Sequence, residues 1–167
     1  MEDIDIDQGP QFAVIALGSN IGDKCANIAT AADLLARVNG ISVAKRSQNY
    51  RTPPWGNTDQ DWFVNACMSV NTTLSPHALL AECLETERKM GRMRGQKWGP
   101  RVIDLDVLVY ADLDIRESDL VVPHPYITER AFVLAPMADV APEFVLKGKT
   151  VAAWLGGADL EGIEPIA

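Results

Sequence analysis

The stretch RVIDLDVLVY at residues 101–110 restricts the fold more than any other part of the chain. Its valines, leucines and isoleucine favour a strand, yet Asp104 and Asp106 interrupt it, and aspartate is depleted in strands. Side chains alternate along an extended chain, so the two carboxylates share one face about 6.6 Å apart, at about 3.3 Å of rise per residue. Ile103, Leu105, Val107 and Val109 then take the opposite face, which is the core side. A fold built on this strand must leave the aspartate face concave or solvent-facing, and something must come to that face to offset two anions.

The remaining segments alternate in type. FAVIALGSN (12–20) reads as a buried strand ended by Gly18, Ser19 and Asn20. Asp23 is the N-cap of a helix with Ile28, Ala31, Ala32 and Leu35 at helical spacing and Gly40 just past its end. ISVAKRSQNYRT (41–52) reads as a second strand stopped by Pro53-Pro54, and FVNACMSVNTTL (63–74) as a third that pairs with it. Ser75 caps a second helix that opens on Pro76, with an apolar stripe of Leu79, Leu80, Cys83, Leu84 and Met90 running to Gly91. After the aspartate strand come an irregular stretch over 119–145 and a short helix around Val151–Leu155, and the tail after about 145 supports nothing specific. The order β-α-β-β-α-β predicts an α+β, ferredoxin-like fold, an antiparallel sheet with helices packed on it.

With 167 residues the chain is long enough to bury one core, and it reads as a single domain over 12–167 behind a flexible acidic N-terminal tail over 1–11. No apolar run approaches the ~18 residues that span a bilayer, and the acidic start is neither a signal nor a transit peptide. Cys25, Cys67 and Cys83 are scattered and odd in number, as suits a cytoplasmic protein, and two histidines in the whole chain argue against a zinc site. The net charge of −8 argues against nucleic-acid binding. Locally the balance reverses: RKMGRMRGQKWGPR (88–101) holds six of the fifteen basic residues and no acidic one, directly before the aspartates.

Carboxylates beside arginines suit magnesium, which takes one or two protein carboxylates and completes its octahedron with waters and phosphate oxygens. Two such aspartates can hold a metal pair while arginines clamp phosphates, and the combination points to phosphoryl or nucleotidyl transfer. YRTPPWGNTDQDWFVNA (50–66) is a proline-fixed loop that presents Trp55, Trp62 and Phe63 for stacking, followed by Asn65, whose amide can read a heterocycle edge. VPHPYITERAF (122–132) adds His124, Arg130 and Phe132. No phosphate loop of the G-x-x-x-x-G-K-[ST] type is present. A ferredoxin-like RNA-binding module also carries aromatic residues on an open sheet, but the aspartate pair would repel a phosphate backbone. A two-metal cyclase or polymerase-like domain would share Asp-x-Asp without requiring RTPP or Asn65.

In ALGSNIGD, YRTPPWG, FVNA, ETERKMGRMR, KWGPRVIDLDVL and VPHPYITERAFVLAPM the chain closely resembles the 6-hydroxymethyl-7,8-dihydropterin pyrophosphokinases of folate biosynthesis, from about residue 12 to 145. The resemblance implies transfer of pyrophosphate from ATP to the pterin hydroxymethyl group with release of AMP. It makes Asp104 and Asp106 the ligands of two Mg2+ ions brought with ATP. Arg92 and Arg101 become triphosphate contacts and, with the aspartates, the catalytic set. Glu87, Arg94, Trp98, His124 and Arg130 fall in the ATP site. Phe63 and Phe132 would sandwich the pterin and Asn65 would read its edge, with backbone groups of Thr52, Pro53 and Trp55. ATP and the reduced pterin are the implied partners, without nucleic acid or membrane, for a monomer. A phenylalanine stands at 63 where relatives often carry tyrosine, and only GQK separates Arg94 from Trp98. The basic loop, bounded by Gly91 and Gly99-Pro100, is expected to be mobile in the free protein and to close over ATP.

Overall fold

Small and branched apolar residues alternate from Gln11 to Ser19 and form β1, whose two edges are both paired, antiparallel to β4 (Phe63–Thr72) on one side and β5 (Asp104–Tyr110) on the other. This is a computed structural model, and it describes residues 9–53, 61–91 and 102–166. β1 begins one residue before the expected domain boundary. The expected strand over 41–52 is two strands, β2 (Ile41–Arg46) and β3 (Asn49–Thr52), both antiparallel to β4. Between them Ser47 takes over the ladder: its N–H donates to Cys67 O and its Oγ accepts from Cys67 N, both at 2.8 Å. With β2 and β3 counted as one broken strand, the sheet runs β3-β4-β1-β5, which is the ferredoxin-like order.

α1 (Lys24–Ala36) and α2 (Pro76–Lys89) cross over one face of this sheet. Their caps form as the sequence predicts, with Asp23 accepting from Ala26 N and Ser75 Oγ from Ala78 N, both at 3.1 Å. Ile28, Ala31, Ala32, Leu35, Leu79 and Cys83 pack there against Ile15, Leu17, Met68 and Leu105. Leu84 departs from the expected stripe and is 53% exposed, while Thr86 and Glu87 are buried in its place.

The other face carries a second core that sequence reading did not anticipate. The stretch read as irregular contains a two-stranded hairpin, β6 (Ile115–Arg116) with β7 (Val121–Val122), and a helix, α3 (Ala131–Val140). Pro136 inside α3 removes an i→i−4 hydrogen bond and hides the helix from a pattern-based reading. Tertiary packing overrides that penalty, since Leu134 and Met137 are fully buried against Val14, Cys67 and Leu108. Asp139 ties α3 to the β2–β3 break by accepting from Tyr50 Oη at 2.8 Å and Gln48 N at 3.1 Å. The tail is also structured: β8 (Val145–Leu146) pairs with β9 (Lys149–Thr150), α4 (Val151–Gly156) packs on α3, and β10 (Glu164–Ile166) extends the sheet beside β3.

One expectation about β5 fails for a clear reason. The β1–β5 register shifts between Val14 and Ile15, so Ile15 faces Val107 and Val14 faces Val109 with Leu108 as the extra residue. Such a bulge turns the side chains past it to the other face. Ile103, Leu105 and Val107 lie in the first core as expected, whereas Val109 lies in the second.

The difference in burial between Leu134 and Leu84 predicts contrasting effects of truncation. Leu134→Ala should lower stability by about 2–5 kcal/mol through lost burial and a cavity. Leu84→Ala should stay within about 0.5 kcal/mol of the wild type, as exposed substitutions do. Urea denaturation followed by circular dichroism checks both.

Candidate active site

The register places the polar residues of three strands in rows. Asn65 on β4 opposes Gly18 on β1, and Gly18 opposes Asp104 on β5; two residues along, Cys67 opposes Ala16 and Ala16 opposes Asp106. Cross-strand partners share a face, so Phe63, Asn65, Gly18, Ala16, Asp104 and Asp106 all lie on the α3 side of the sheet. α3 covers that face over Val14 and Cys67, which are buried, while Asp106 remains exposed. The smallest side chains of β1 therefore stand between the asparagine and the carboxylates, and the aspartate pair shares one face as its spacing predicts.

Each group is held by its neighbours. Asn65 Nδ2 donates to Thr52 Oγ1 at 2.7 Å, and Thr52, opposite Phe63, is buried. This bond orients the amide oxygen toward Gly18, where a Cβ would come within 2.9 Å of it. Glu87, in the last turn of α2, is 1% exposed and accepts from Leu105 N at 2.9 Å. That bond holds the peptide between the two aspartates. Farther along β5, Leu108 O accepts from His124 N at 2.8 Å, which fixes the His124 backbone beside the strand.

His124 is half-buried, with Nδ1 accepting from Tyr126 N at 3.3 Å, so in the neutral ring Nε2 carries the proton. Burial, then the Arg130 guanidinium, hold its pKa below the usual histidine value. Arg130 lies between two rings, 5.1 Å from the Tyr126 centroid and 5.8 Å from that of Phe132. Phe132 is the second residue of α3 and, like Ala16, packs at the margin of the second core. Pro53 follows β3 and lies beside Gly162, which precedes β10, so the tail supports the start of this loop.

The loop returns to β4 through a latch that sequence reading missed. Lys24, 8% exposed at the start of α1, donates to Asp61 at 2.9 Å and lies 3.5 Å from the Trp62 ring centroid, with Arg51 4.6 Å from the same ring. The Lys24 ammonium holds the Asp61 carboxyl below its usual range. Trp62 thus faces the helix side and presents no surface for a substrate on the α3 side. Lysine at the first position of a helix gives no signal in a pattern search. The remaining expected residues, Trp55, Arg92, Arg94, Trp98 and Arg101, and the expected mobile loop itself, lie outside the described residues.

A family model described as 7,8-dihydro-6-hydroxymethylpterin-pyrophosphokinase (HPPK) matches residues 14–142, which take in Gly18, Asn65, Glu87, Asp104, Asp106, His124 and Phe132. The chain belongs to this family. It is 52% identical over 154 residues to a 2-amino-4-hydroxy-6-hydroxymethyldihydropteridine pyrophosphokinase of Methylorubrum extorquens, covering 92% of this chain and 98% of that protein. It is 42% identical over 132 residues to the Bacillus subtilis protein of the same name, covering 79% of each. The fold matches that of Plasmodium falciparum HPPK-DHPS with pteroate at a TM-score of 0.71 and 16% identity, over 88% of this chain and 44% of that one. The chain therefore spans less than half of that bifunctional protein. As an HPPK it transfers the pyrophosphoryl group of ATP to hydroxymethyldihydropterin in folate synthesis.

The environment of His124 makes a pH prediction. Its folded pKa lies below its unfolded value, so its contribution to stability is present above the unfolded value and is lost as pH falls through the folded one. Arg130→Gln should raise the His124 pKa while leaving it below the free value, since burial is the larger cause. Nitrogen-15 NMR titration of the two histidines reads this directly.

Proposed function

We propose that the transfer takes place on the uncovered part of the α3 face, with the pterin at the β4 side and the triphosphate at the β5 side. The row Asn65–Gly18–Asp104 carries this reading, because it sets a heterocycle-reading amide and a carboxylate on one surface with no side chain between them. Phe63 and Phe132 stack on the pterin rings from β4 and from α3. Asn65 bonds the ring edge, with backbone groups of Thr52, Pro53 and Trp55. Thr52 takes one of the two N–H donors of the Asn65 amide, so the oxygen can accept from a pterin N–H and the second N–H can donate to the ring edge.

Hard carboxylate oxygens at 104 and 106, opposite glycine and alanine, fit Mg2+ with room for its waters and phosphate ligands. Two Mg2+ ions held by Asp104 and Asp106 would neutralise the phosphates and polarise the β-phosphorus of ATP. The hydroxymethyl oxygen bonds to that phosphorus, the bond to the α-phosphate bridging oxygen breaks, AMP leaves, and the hydroxyl proton passes to solvent. Glu87 keeps the aspartate strand in place from beneath by holding the Leu105 amide. Arg92, Arg94, Trp98 and Arg101 complete the ATP site by their positions in the family motif, and Arg92 and Arg101 contact the triphosphate. Neutral His124 offers Nε2–H to the nucleotide without adding charge, and Arg130 beside it supplies the cation. Catalysis then comes from positioning and electrostatics, since phosphoryl chemistry asks little covalent work of a protein.

We read the chain from Gln11, the first residue of β1, to 167 as the one catalytic domain, the residues before it as a tail, and the chain as a monomer in the cytoplasm. Cys67 and Cys83 are buried thiols, as suits a reducing compartment, with pKa values pushed above the ordinary range by burial, to about 12 for Cys83. No helix among the described residues is long and apolar enough to cross a membrane.

Phosphorus-31 NMR of a completed reaction should show AMP and a pterin diphosphate. Asp104→Asn and Asp106→Asn should each abolish turnover while the free proteins unfold at the wild-type urea midpoint. ADP and a pterin monophosphate as products would contradict the assignment, and a large shift of both midpoints would make the aspartates structural.

A further inference from the structure

His77, Glu117 and Asp119 form a cluster that includes none of the residues placed in the pterin and phosphate sites. His77 is the second residue of α2, and the two carboxylates belong to the turn that joins β6 to β7. His77 Nε2 is 2.7 Å from Glu117 Oε2 and 4.0 Å from Asp119 Oδ1, and one ligand atom from each residue lies within 4.8 Å of the others. Histidine and glutamate are 40 positions apart in the chain, so tertiary structure brings them together. Both supporting segments are fixed locally. Glu117 N donates to Leu120 O at 2.9 Å and closes the hairpin turn, while the Ser75 cap secures the start of α2.

We propose that His77, Glu117 and Asp119 bind a divalent cation of the zinc class. One imidazole nitrogen with two carboxylate oxygens is a donor set that zinc accepts and that magnesium, which prefers an all-oxygen octahedron, does not select. Four ligands arranged tetrahedrally about 2.0–2.1 Å from zinc stand about 3.3 Å from one another. The distances of 2.7 and 4.0 Å bracket that spacing and the Glu117–Asp119 pair lies within 4.8 Å, so rotations of these exposed side chains can bring the three atoms to it. The side chains are 47%, 54% and 65% exposed, so the ion enters from solvent and a water takes the fourth position. The fold adds two carboxylates to one of the chain's two histidines, which a count of histidines does not show.

A bound ion would cross-link α2 to the β6–β7 hairpin. The hairpin leads through Val122 and Pro123 to His124, so the ion would brace the segment that carries this residue. The other reading of the same geometry is a His77–Glu117 hydrogen bond that needs no metal.

Isothermal titration of Zn2+ into the full chain, free of nucleotide and magnesium, separates the two. The wild type and an Asp104→Asn/Asp106→Asn double variant should each bind one equivalent. His77→Ala and Glu117→Gln should each weaken binding roughly tenfold or more, at least as much as loss of an outer-shell partner does. Zinc should raise the melting temperature of the wild type and not of His77→Ala. Co2+ in place of zinc should give the visible bands of a four-coordinate site without a thiolate charge-transfer band, which excludes Cys25. Absence of zinc binding, equal affinity in His77→Ala, loss of binding in the double aspartate variant, or a thiolate band would each overturn the proposal.

Discussion

A side chain at position 18 would bring its Cβ to 2.9 Å from Asn65 Oδ1, and Asn65 has little freedom to withdraw because its amide nitrogen is bonded to buried Thr52 at 2.7 Å. Glycine is therefore required by the partner across the strand pair and not by its own backbone. The open surface follows from it. β1 is paired on both edges, so a glycine there clears the ground between β4 and β5 and sets an amide and a carboxylate on one face with nothing tall between them. Ala16 repeats the arrangement two residues away for Asp106. The same face is covered farther along by α3, which brings Phe132 and Arg130 to the margin of the opening.

Charge is distributed with the same economy of means. Glu87, Asp104 and Asp106 converge on one end of β5, which makes that end receptive to cations. Glu87 is the buried member, and a backbone N–H offsets part of its desolvation, as a buried carboxylate requires. The exposed aspartate of the pair, Asp106, lies where hydrated metal and phosphate can reach it. Beside β5, burial and then Arg130 hold the His124 pKa below the usual histidine value, and Arg130 supplies a positive charge next to it. Around the loop that ends at Asp61, Lys24 and Arg51 are directed at Trp62 on the helix side, while Phe63 stands on the α3 side.

Features that rest on local chemistry could be read from the sequence. Asp23 and Ser75 cap their helices because a short oxygen-bearing side chain before an apolar period does so almost wherever it occurs. The alternation around Asp104 and Asp106 fixed their shared face, and the order of periods fixed the ferredoxin-like topology. Features that depend on long-range packing could not be read. Val109 changes face because β1 and β5 pair with a bulge at Leu108, which neither strand records alone. α3 contains Pro136 and is stabilised by a core its own segment does not specify. β10 finds β3 across more than a hundred residues, and nothing in Glu164–Ile166 marks it as a strand. Of the site, Asp104, Asp106, Asn65 and Phe63 were readable together with the family motifs, whereas the roles of Gly18, Lys24 and Trp62 emerge only from their neighbours.

We propose that Asp104 and Asp106 act as one metal-binding pair on a surface kept open by Gly18 and Ala16. Electron paramagnetic resonance of Mn2+ bound with a non-hydrolysable ATP analogue tests it directly, because two ions about 3.5–4 Å apart are magnetically coupled. The account predicts two bound Mn2+ per chain with a coupled spectrum, and loss of that coupling in both Asp104→Asn and Asp106→Asn. A coupled pair that survives either substitution, or a wild type that binds a single isolated ion, would contradict it.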